Sequence, residues 1–445
     1  MKILLLSTYE LGHQPINLGW PVAALRSAGF RVASVDLSVE DFPGAEAAGA
    51  SFIGISVPMH TAMRLGVEAA RQVRKLNPAT HINFYGHYAY LNEAYLIGSG
   101  LADSVLAGEI EPELVRIARD LDRYSPSGPR VRLKRPDYPV PDRTGLAGLE
   151  AYAGLRIGGE IRLAGYTEAT RGCLHTCAHC PIVPVYNGRF FAVPVETVLE
   201  DIRRQVAAGA EHITFGDPDF LNGPTHSLRI VRRMQAEFPG LTFDFTAKVE
   251  HLINHHDLLG ELADLGALFA VSAFESTSDQ VLAKLRKGHT AADMDRALNL
   301  AANAGLEIQP TWVAFTPWTT LEDYLEMLAW IYDRNLVEIT PAVQFSVRLL
   351  VPPRSALLST PDAPFFGPPD PENFVHPWSH PDPCMDELHT GVSGLVEERI
   401  GLSPGEMFAE IEALAYRIAD REPPLRSLKT MLPVPSPRLT EDWFC

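Results

Sequence analysis

The chain has 445 residues, 46% of them hydrophobic and 21% charged, so it is long enough for two or three globular domains with apolar cores. Its net charge of −17 argues against a nucleic-acid partner, because phosphate contacts need clustered Lys and Arg side chains. The sequence has neither an apolar run of about 20 residues nor a cleavable leader pattern, which favours a cytoplasmic protein without a membrane partner.

The first domain is predicted at residues 1–124, where short apolar strands alternate with helical patterns. Strands are expected at residues 2–7, 30–37, 52–57, 81–85 and 103–108, and the helices include 61–76 and 112–121. Alternation at this spacing is typical of an open, doubly wound parallel sheet with helices on both faces. Residues 125–160 are rich in Pro, Gly and charge, which indicates a linker.

A second alternating series is predicted at residues 161–349. Its first strand lies within residues 161–170 and leads into a cluster of cysteines, and further strands are expected at 212–215, 241–247, 269–274, 307–315 and 337–347. Six strands with helices between them predict a partial (β/α)6 barrel, whose chemistry belongs at the C-terminal strand ends. Residues 350–445 combine Pro-rich segments with two helices, expected at 385–399 and 404–420.

Three of the five cysteines follow the first barrel strand in the sequence RGCLHTCAHCP, as Cys173, Cys177 and Cys180. Clustered thiols indicate a metal rather than a disulfide framework. Ordinary zinc and ferredoxin sites close their coordination with four protein ligands, whereas no fourth cysteine stands nearby here. One iron of a [4Fe–4S] cluster would therefore stay open to an external ligand. The alternative is a zinc site completed by one of three histidines, His175, His179 or His212.

This spacing, with Pro181 after the last cysteine and a strand before the loop, resembles the radical SAM superfamily. The resemblance implies that the three cysteines hold a [4Fe–4S] cluster and that S-adenosylmethionine (SAM) binds the open iron. In such enzymes the reduced cluster cleaves SAM to methionine and a 5′-deoxyadenosyl radical, which takes a hydrogen atom from the substrate. An electron donor such as ferredoxin or flavodoxin is then an expected partner.

The ends of the following strands carry the residues expected to hold SAM. The segment TFGDPDF places Gly216 and Asp217 where the family usually carries Gly-Gly-Glu, and FESTSDQVLAKLRKG is similar to the family's Gly-Val-Glu-Ser followed by a helix ending in Lys-Gly. The resemblance therefore assigns Asp217 and Glu275 to SAM, with Ser272 one strand step from Glu275. Lys248, just past the third strand, is also expected to point toward the mouth of the barrel and to contact SAM. A turn at Asp217, a helix cap after Glu275 and a solvated helix start at Lys248 are the alternatives that residue chemistry leaves open.

The N-terminal domain resembles the cobalamin-binding domain fused to many radical SAM enzymes, through the segments STYELGHQPINLGWPVAALRSAGF, FIGISVPM and NFYGHYAYLN. The resemblance implies a corrin near four residues, Tyr9, His13, Ser56 and Gly86. The axial-ligand signature Asp-x-His-x-x-Gly is absent, since Glu10 and His13 have a different spacing. Cobalamin without a protein axial ligand is therefore expected, and a corrin-free platform for a substrate or partner is the alternative.

The segments FTPWTT and PAVQFSVRLLVPPRSALL and the ending PRLTEDWFC resemble the CUAEP/CCAEP-tail group of radical SAM proteins. In that group a cysteine is followed by selenocysteine or cysteine and then by Ala-Glu-Pro. The resemblance implies that Cys445 begins such a redox tail, which a selenocysteine codon read as a stop would cut short. A natural terminus with one unpaired cysteine is the alternative.

Together these features predict an enzyme that cleaves SAM reductively and, with cobalamin, transfers a methyl or related group to a small-molecule or peptide substrate. The sequence does not specify the catalytic residues. Three alternatives remain: a radical SAM enzyme without cobalamin, a methylthiolating enzyme, and a zinc-binding protein without activity. The methylthiolating enzyme needs a second cluster, for which Cys384 and Cys445 are too few.

Overall fold

The computed structural model describes residues 1–123, 130–399, 401–426 and 436–441. The N-terminal part contains the strands β1 (Lys2–Ser7), β2 (Arg31–Asp36), β3 (Phe52–Ser56), β4 (His81–Tyr85), β5 (Ser104–Gly108) and β6 (Arg130–Arg132). Its helices are α1 (Ile16–Ser27), α2 (Gly44–Gly49), α3 (His60–Leu76), α4 (His87–Leu91), α5 (Glu93–Gly98) and α6 (Glu111–Arg119). The strands form one parallel sheet in the order β2-β1-β3-β4-β5-β6.

Helices cover both faces of this sheet, and two separate apolar clusters pack against it. Strand β3 is buried at every residue, as expected when both sides of a parallel strand face helices. The strand order reverses between β1 and β3, and the crevice outside the carboxyl ends of such strands is where doubly wound sheets bind ligands. The strands and helices predicted for the first domain are confirmed to within two residues. Strand β6 is an addition, since it lies in the segment expected to be a linker.

The next strands are β7 (Leu155–Ile157), β8 (Glu160–Arg162), β9 (Ala164–Thr167), β10 (Thr170–Gly172), β11 (Phe190–Ala192), β12 (His212–Phe215), β13 (Thr242–Thr246), β14 (Ala267–Glu275) and β15 (Glu307–Trp312). The helices among them are α7 (Val183–Tyr186), α8 (Val195–Ala207), α9 (Pro224–Glu237), α10 (Val249–Asn254), α11 (His256–Asp264), α12 (Asp279–Leu285), α13 (Ala291–Asn303) and α14 (Leu321–Asp333). Five strands form a parallel sheet in the order β15-β14-β13-β12-β9. The α/β class with two parallel sheets is confirmed.

The prediction of a sixth barrel strand at residues 337–347 is wrong. This segment forms two 3₁₀ turns, Val337–Ile339 and Ala342–Phe345. Pro341 stands between the turns and has no N–H to give to a strand ladder, and the hydroxyl of Thr340 bonds to the Leu336 carbonyl at 2.8 Å. Only a single bridge, between Phe315 and Arg348, extends the pattern beyond β15.

The C-terminal region contains α15 (Pro383–Glu398) and α16 (Pro404–Ile418), which confirm the two predicted helices. A last short strand, β16 (Arg438–Leu439), pairs with β7 to make a three-stranded sheet with β8. The end of the described chain therefore returns to the start of the second domain. Among the described residues, no helix combines the length and the apolar character needed to span a bilayer.

Candidate active site

The cysteine loop, residues 173–180, follows β10 directly. Gly172, the last residue of β10, has a φ of +79°, and a Cβ at this position would lie 2.5 Å from the carbonyl oxygen of Arg189. Residues other than glycine rarely adopt this backbone angle, and here their Cβ atom would also overlap the backbone. Glycine at this position therefore lets the chain turn from β10 into the loop.

Residues that follow β12 form hydrogen bonds with the cysteine loop and with the segment just before it. The Asn222 side-chain oxygen accepts a hydrogen bond from the Leu174 N–H at 3.2 Å. The carboxylate of Asp217 accepts from the Ala169 N–H at 2.9 Å and from the Thr170 hydroxyl at 2.6 Å. Burial raises the pKa of Asp217 to about 6. Asp217 thus supports the backbone before the cysteines, and its predicted contact with SAM stays a prediction.

The three thiols of the loop fit an iron–sulfur cluster better than a zinc ion. Burial raises the pKa of Cys173 to about 11 and that of Cys180 to about 12, so their thiolates need positively charged metal beside them. Around a single zinc ion, Zn–S bonds of 2.3 Å place tetrahedral sulfurs about 3.8 Å apart. Within the described part of the chain, the cysteines are not in a group of metal-ligand atoms that lie within 4.8 Å of one another.

The three histidines proposed for a zinc site all have other partners. His212, the first residue of β12, is fully buried and bonds to Thr242 at 2.8 Å and to Asp244 at 2.8 Å. His179 Nε2 lies 3.2 Å from Glu275 Oε1, and His175 Nε2 lies 3.2 Å from His251 Nε2. A fourth protein ligand for a single-ion site at the cysteines is therefore missing among these histidines.

Glu275, the last residue of β14, faces the cysteine loop. Its Oε1 atom accepts a hydrogen bond from Lys287 Nζ at 2.9 Å, and both side chains are more than nine-tenths buried. Burial alone would raise the pKa of this carboxyl, but Lys287 and His179 hold it well below its usual range. Glu275 also has a φ of +66°, an uncommon value for a residue other than glycine. Lys287 belongs to the sequence motif that ends in Lys-Gly, but the motif does not indicate that this lysine pairs with Glu275.

The other two residues predicted to bind SAM differ in their placement. Lys248 lies on the wall of the central cavity, at the start of α10, and its Nζ is 3.5 Å from Glu250 Oε2. Ser272 is fully buried and absent from that wall, while Val271 and Ala273 line it. Side chains alternate along a strand, so Ser272 points to the opposite face of β14 from Glu275. The structure does not bring Ser272 to the site.

A buried ionic cluster, which the sequence analysis missed, connects the cysteine loop to the N-terminal sheet. Arg171 Nη1 lies 2.7 Å from Glu111, the first residue of α6, and 3.3 Å from Glu109, directly after β5, and its Nε lies 3.5 Å from Glu168. Its guanidinium stacks on Trp20, 4.8 Å from the ring centroid. Burial raises the pKa of Glu168 to about 8. We refer to Glu109, Glu111, Glu168 and Arg171 as the domain bridge.

One cavity of about 1160 Å³ extends between the two sheets. Its wall includes the cysteine loop, Glu275 and Lys248 on one side, and the loops after β3 and β4 on the other. Strand β16 and Glu441 also contribute to this wall. The C-terminal edge of the N-terminal sheet and the mouth of the barrel therefore face the same space.

Two of the four residues predicted to contact cobalamin lie on this cavity. Gly86 has a φ of +108°, and a Cβ there would lie 2.8 Å from the Val57 carbonyl oxygen. His13 stacks on Tyr166 of the barrel with ring centroids 4.4 Å apart, and burial lowers its pKa to about 4. Tyr9 and Ser56 are absent from the cavity wall, and the Tyr9 hydroxyl donates to Glu441 at 2.6 Å. Cys445 lies outside the described residues.

The comparison with protein families agrees with this geometry. Residues 167–331 match the family model of the radical SAM superfamily. The chain therefore contains a radical SAM domain. Two solved structures share its fold: the cobalamin-dependent SAM radical enzyme OxsB with aqua-cobalamin bound, and the radical SAM methyltransferase TsrM from Kitasatospora setae with tryptophan and a SAM analogue bound. For OxsB the TM-score is 0.68 at 15% identity over 94% of this chain and 72% of OxsB. For TsrM it is 0.58 at 16% identity over 75% of this chain and 71% of TsrM.

Curated relatives match a shorter region of the chain than these structures do. A putative methylthiotransferase of Methanocaldococcus jannaschii is 25% identical over 190 residues, 39% of this chain and 40% of that protein. The tRNA-2-methylthio-N(6)-dimethylallyladenosine synthase of Chlorobium phaeovibrioides is 30% identical over 150 residues, 32% of each chain. The chain thus matches less than half the length of either relative.

Proposed function

We propose that this radical SAM enzyme uses a [4Fe–4S] cluster and cobalamin to transfer a methyl or related group from SAM to a small-molecule or peptide substrate. The observation that carries the proposal is the single cavity between the two sheets, which has the cysteine loop on one wall and the loops after β3 and β4 on the other. Sites for one ligand usually occupy roughly 300–1,000 Å³. A cavity of about 1160 Å³ has room for more than one molecule.

The residues of the chain suit this pair of cofactors. When bound, the cluster supplies the electron that cleaves SAM, and cobalamin supplies a cobalt that carries the methyl group. Cys173, Cys177 and Cys180 would hold the cluster as thiolates. Glu275, kept ionised by Lys287, would accept hydrogen bonds from the amine or ribose hydroxyls of SAM. The tight turn at Gly86 brings the ends of β3 and β4 together, so backbone forms part of the cavity floor where a flat corrin would lie.

A methylthiolating activity, suggested by the names of the curated relatives, is the second candidate. That chemistry needs a second iron–sulfur cluster, and the described free cysteine outside the loop is Cys384. Cys384 lies on α15 and does not line the cavity. The cavity and the cysteines therefore favour methyl or related group transfer. A ferredoxin or flavodoxin would deliver the electron in either case.

Anaerobic purification with added iron, sulfide and hydroxocobalamin tests the proposal. We expect one [4Fe–4S] cluster and one corrin per chain, and 5′-deoxyadenosine or S-adenosylhomocysteine after reduction with SAM. Corrin that passes through a desalting column while the cluster stays bound would support a radical SAM enzyme without cobalamin. A product that contains sulfur would support methylthiolation.

The cysteine variants give a matched control. Cys177→Ala removes a cluster thiolate, so iron content and SAM cleavage should both be lost. Cys384→Ser changes a cysteine that is away from the cavity, so both should be retained. SAM cleavage by the Cys177→Ala protein would contradict the assignment of the cluster ligands.

A further inference from the structure

Three metal-ligand side chains meet beside the cysteine loop and have no part in the proposed function. One nitrogen of His175, one nitrogen of His251 and one oxygen of Asp219 lie within 4.8 Å of one another. The Nε2 atoms of the two histidines are 3.2 Å apart. Asp219 Oδ2 lies 3.7 Å from His175 Nε2 and 2.8 Å from His251 Nδ1. Three separate elements supply these groups: the cysteine loop, the loop after β12, and α10.

Hydrogen bonding alone does not satisfy this group. The Nδ1 atom of His251 is buried, and although it is close to Asp219, its direction leaves it without a hydrogen-bond partner. Asp219 is fully buried, and its oxygens also receive the N–H groups of Leu221 at 3.0 Å and Lys248 at 3.4 Å. A buried carboxylate beside two imidazoles is costly unless a positive charge accompanies it.

We propose that His175, Asp219 and His251 bind a divalent first-row transition-metal ion at the wall of the central cavity. Two imidazoles with one carboxylate are a ligand set for Zn²⁺, Fe²⁺ or Co²⁺. An imidazole gives one nitrogen to an ion, and for His251 that atom would be the unpartnered Nδ1, which lies 2.8 Å from Asp219 Oδ2. The ligands are nitrogen and oxygen, so the site is chemically distinct from the thiolate site of the cluster.

The surroundings of the site are consistent with an ion whose coordination is incomplete on the side that faces the cavity. Glu250 Oε2 lies 3.7 Å from His175 Nδ1, the nitrogen that faces away from the other ligands. A carboxylate in this outer position orients a ligand histidine and increases its basicity. His175 itself lines the cavity. Coordination positions that the protein does not fill would therefore face the cavity, where water or an oxygen of a bound molecule completes them.

Metal counting on the holoenzyme tests the proposal. The anaerobically loaded enzyme is equilibrated with Zn²⁺, passed through a chelating column and analysed for zinc, iron and sulfide. We expect one zinc per chain beside a complete cluster. His251→Ala should lose the zinc, Asp219→Asn should bind it at least tenfold more weakly, and both should keep their iron. Glu250→Gln should weaken zinc binding about 10–100-fold, the usual effect of an outer carboxylate.

A matched control and a spectroscopic measurement make the outcome decisive. His256→Ala removes an exposed histidine at the start of α11, whose Nδ1 bonds to the Ile253 carbonyl at 2.9 Å, so zinc content should not change. Co²⁺ in place of zinc should give d–d absorption without thiolate-to-cobalt charge transfer. The proposal is overturned if the holoenzyme retains no zinc, if His251→Ala and Asp219→Asn retain as much as the wild type, if both lose iron together with zinc, or if the cobalt spectrum shows thiolate ligation.

Discussion

Replacement of Lys287 by methionine tests the electrostatics of the site most directly. Lys287 Nζ lies 2.9 Å from Glu275 Oε1, and the two side chains are 4% and 8% exposed. Removal of one partner leaves a buried carboxylate with His179 as its remaining close partner. Loss of one member of a buried ion pair typically costs about 3–5 kcal/mol, and we expect Lys287→Met to lower the unfolding free energy by that amount near neutral pH.

The pH dependence identifies Glu275 as the cause. In the wild type the pKa of Glu275 is lowered by Lys287, so its contribution to stability is present above the unfolded pKa and is lost as pH falls. Without Lys287, burial dominates and raises this pKa above the unfolded value. The folded variant then keeps a proton on Glu275, whereas the unfolded variant releases it. The loss in Lys287→Met should therefore grow as pH rises from 5 to 8.

Urea denaturation followed by tryptophan fluorescence measures the effect, and Lys284→Met is the control. Lys284 pairs with Asp362 at 2.6 Å but is 33% exposed, so its loss should cost about 0.2–1 kcal/mol with little change between the two pH values. The double variant Glu275→Gln/Lys287→Met should recover much of the stability, because it removes the unpaired charge. Equal losses in Lys287→Met and Lys284→Met, or a loss that does not change with pH, would refute the reasoning.

Further predictions concern backbone and ion pairs near the cavity. Gly172→Ala would bring a Cβ to 2.5 Å from the Arg189 carbonyl oxygen, so the iron bound per chain should fall sharply on reconstitution; a full cluster would contradict the role of this turn. Gly86→Ala, whose Cβ would meet the Val57 carbonyl oxygen at 2.8 Å, should reduce corrin retention while iron content stays normal. Arg171→Met leaves buried glutamates without their cation and should cost about 3–5 kcal/mol in urea denaturation, and a change below 1 kcal/mol would contradict this.

Most of the fold follows from local patterns in the sequence. Strands such as Lys2–Ser7 and His81–Tyr85 agree with the prediction to the residue, because short apolar runs between helical patterns define parallel strands. Residues 337–347 are the exception. Apolar residues occur in buried turns as well as in strands. Pro341 was the local indication against strand pairing, because proline cannot donate a hydrogen bond to a neighbouring strand.

The site was predictable only where its residues are close in sequence. The spacing of Cys173, Cys177 and Cys180 identifies the loop, since these residues lie within eight positions of one another in the sequence. Glu275 was predicted from its position at the end of a strand. Its pairing with Lys287 forms because α12, which lies between them in the chain, brings Lys287 back to Glu275. Ser272 is buried away from the cavity wall, because side chains alternate along β14. Contacts between distant segments leave no pattern that one sequence can reveal.

The domain bridge shows what such distant contacts achieve. Arg171 lies two residues before Cys173 and reaches Glu109 and Glu111 of the N-terminal domain, while Tyr186 on α7 donates to Glu109 at 2.9 Å. Strand β10 before the cysteines and helix α7 after them are thus both attached to Glu109, directly after β5. Because ion pairs with this little exposure are costly to break, the cysteine loop and the N-terminal sheet should move together. The width of the cavity between them is then set by the bridge, and a group carried on the sheet would meet the barrel at a fixed distance.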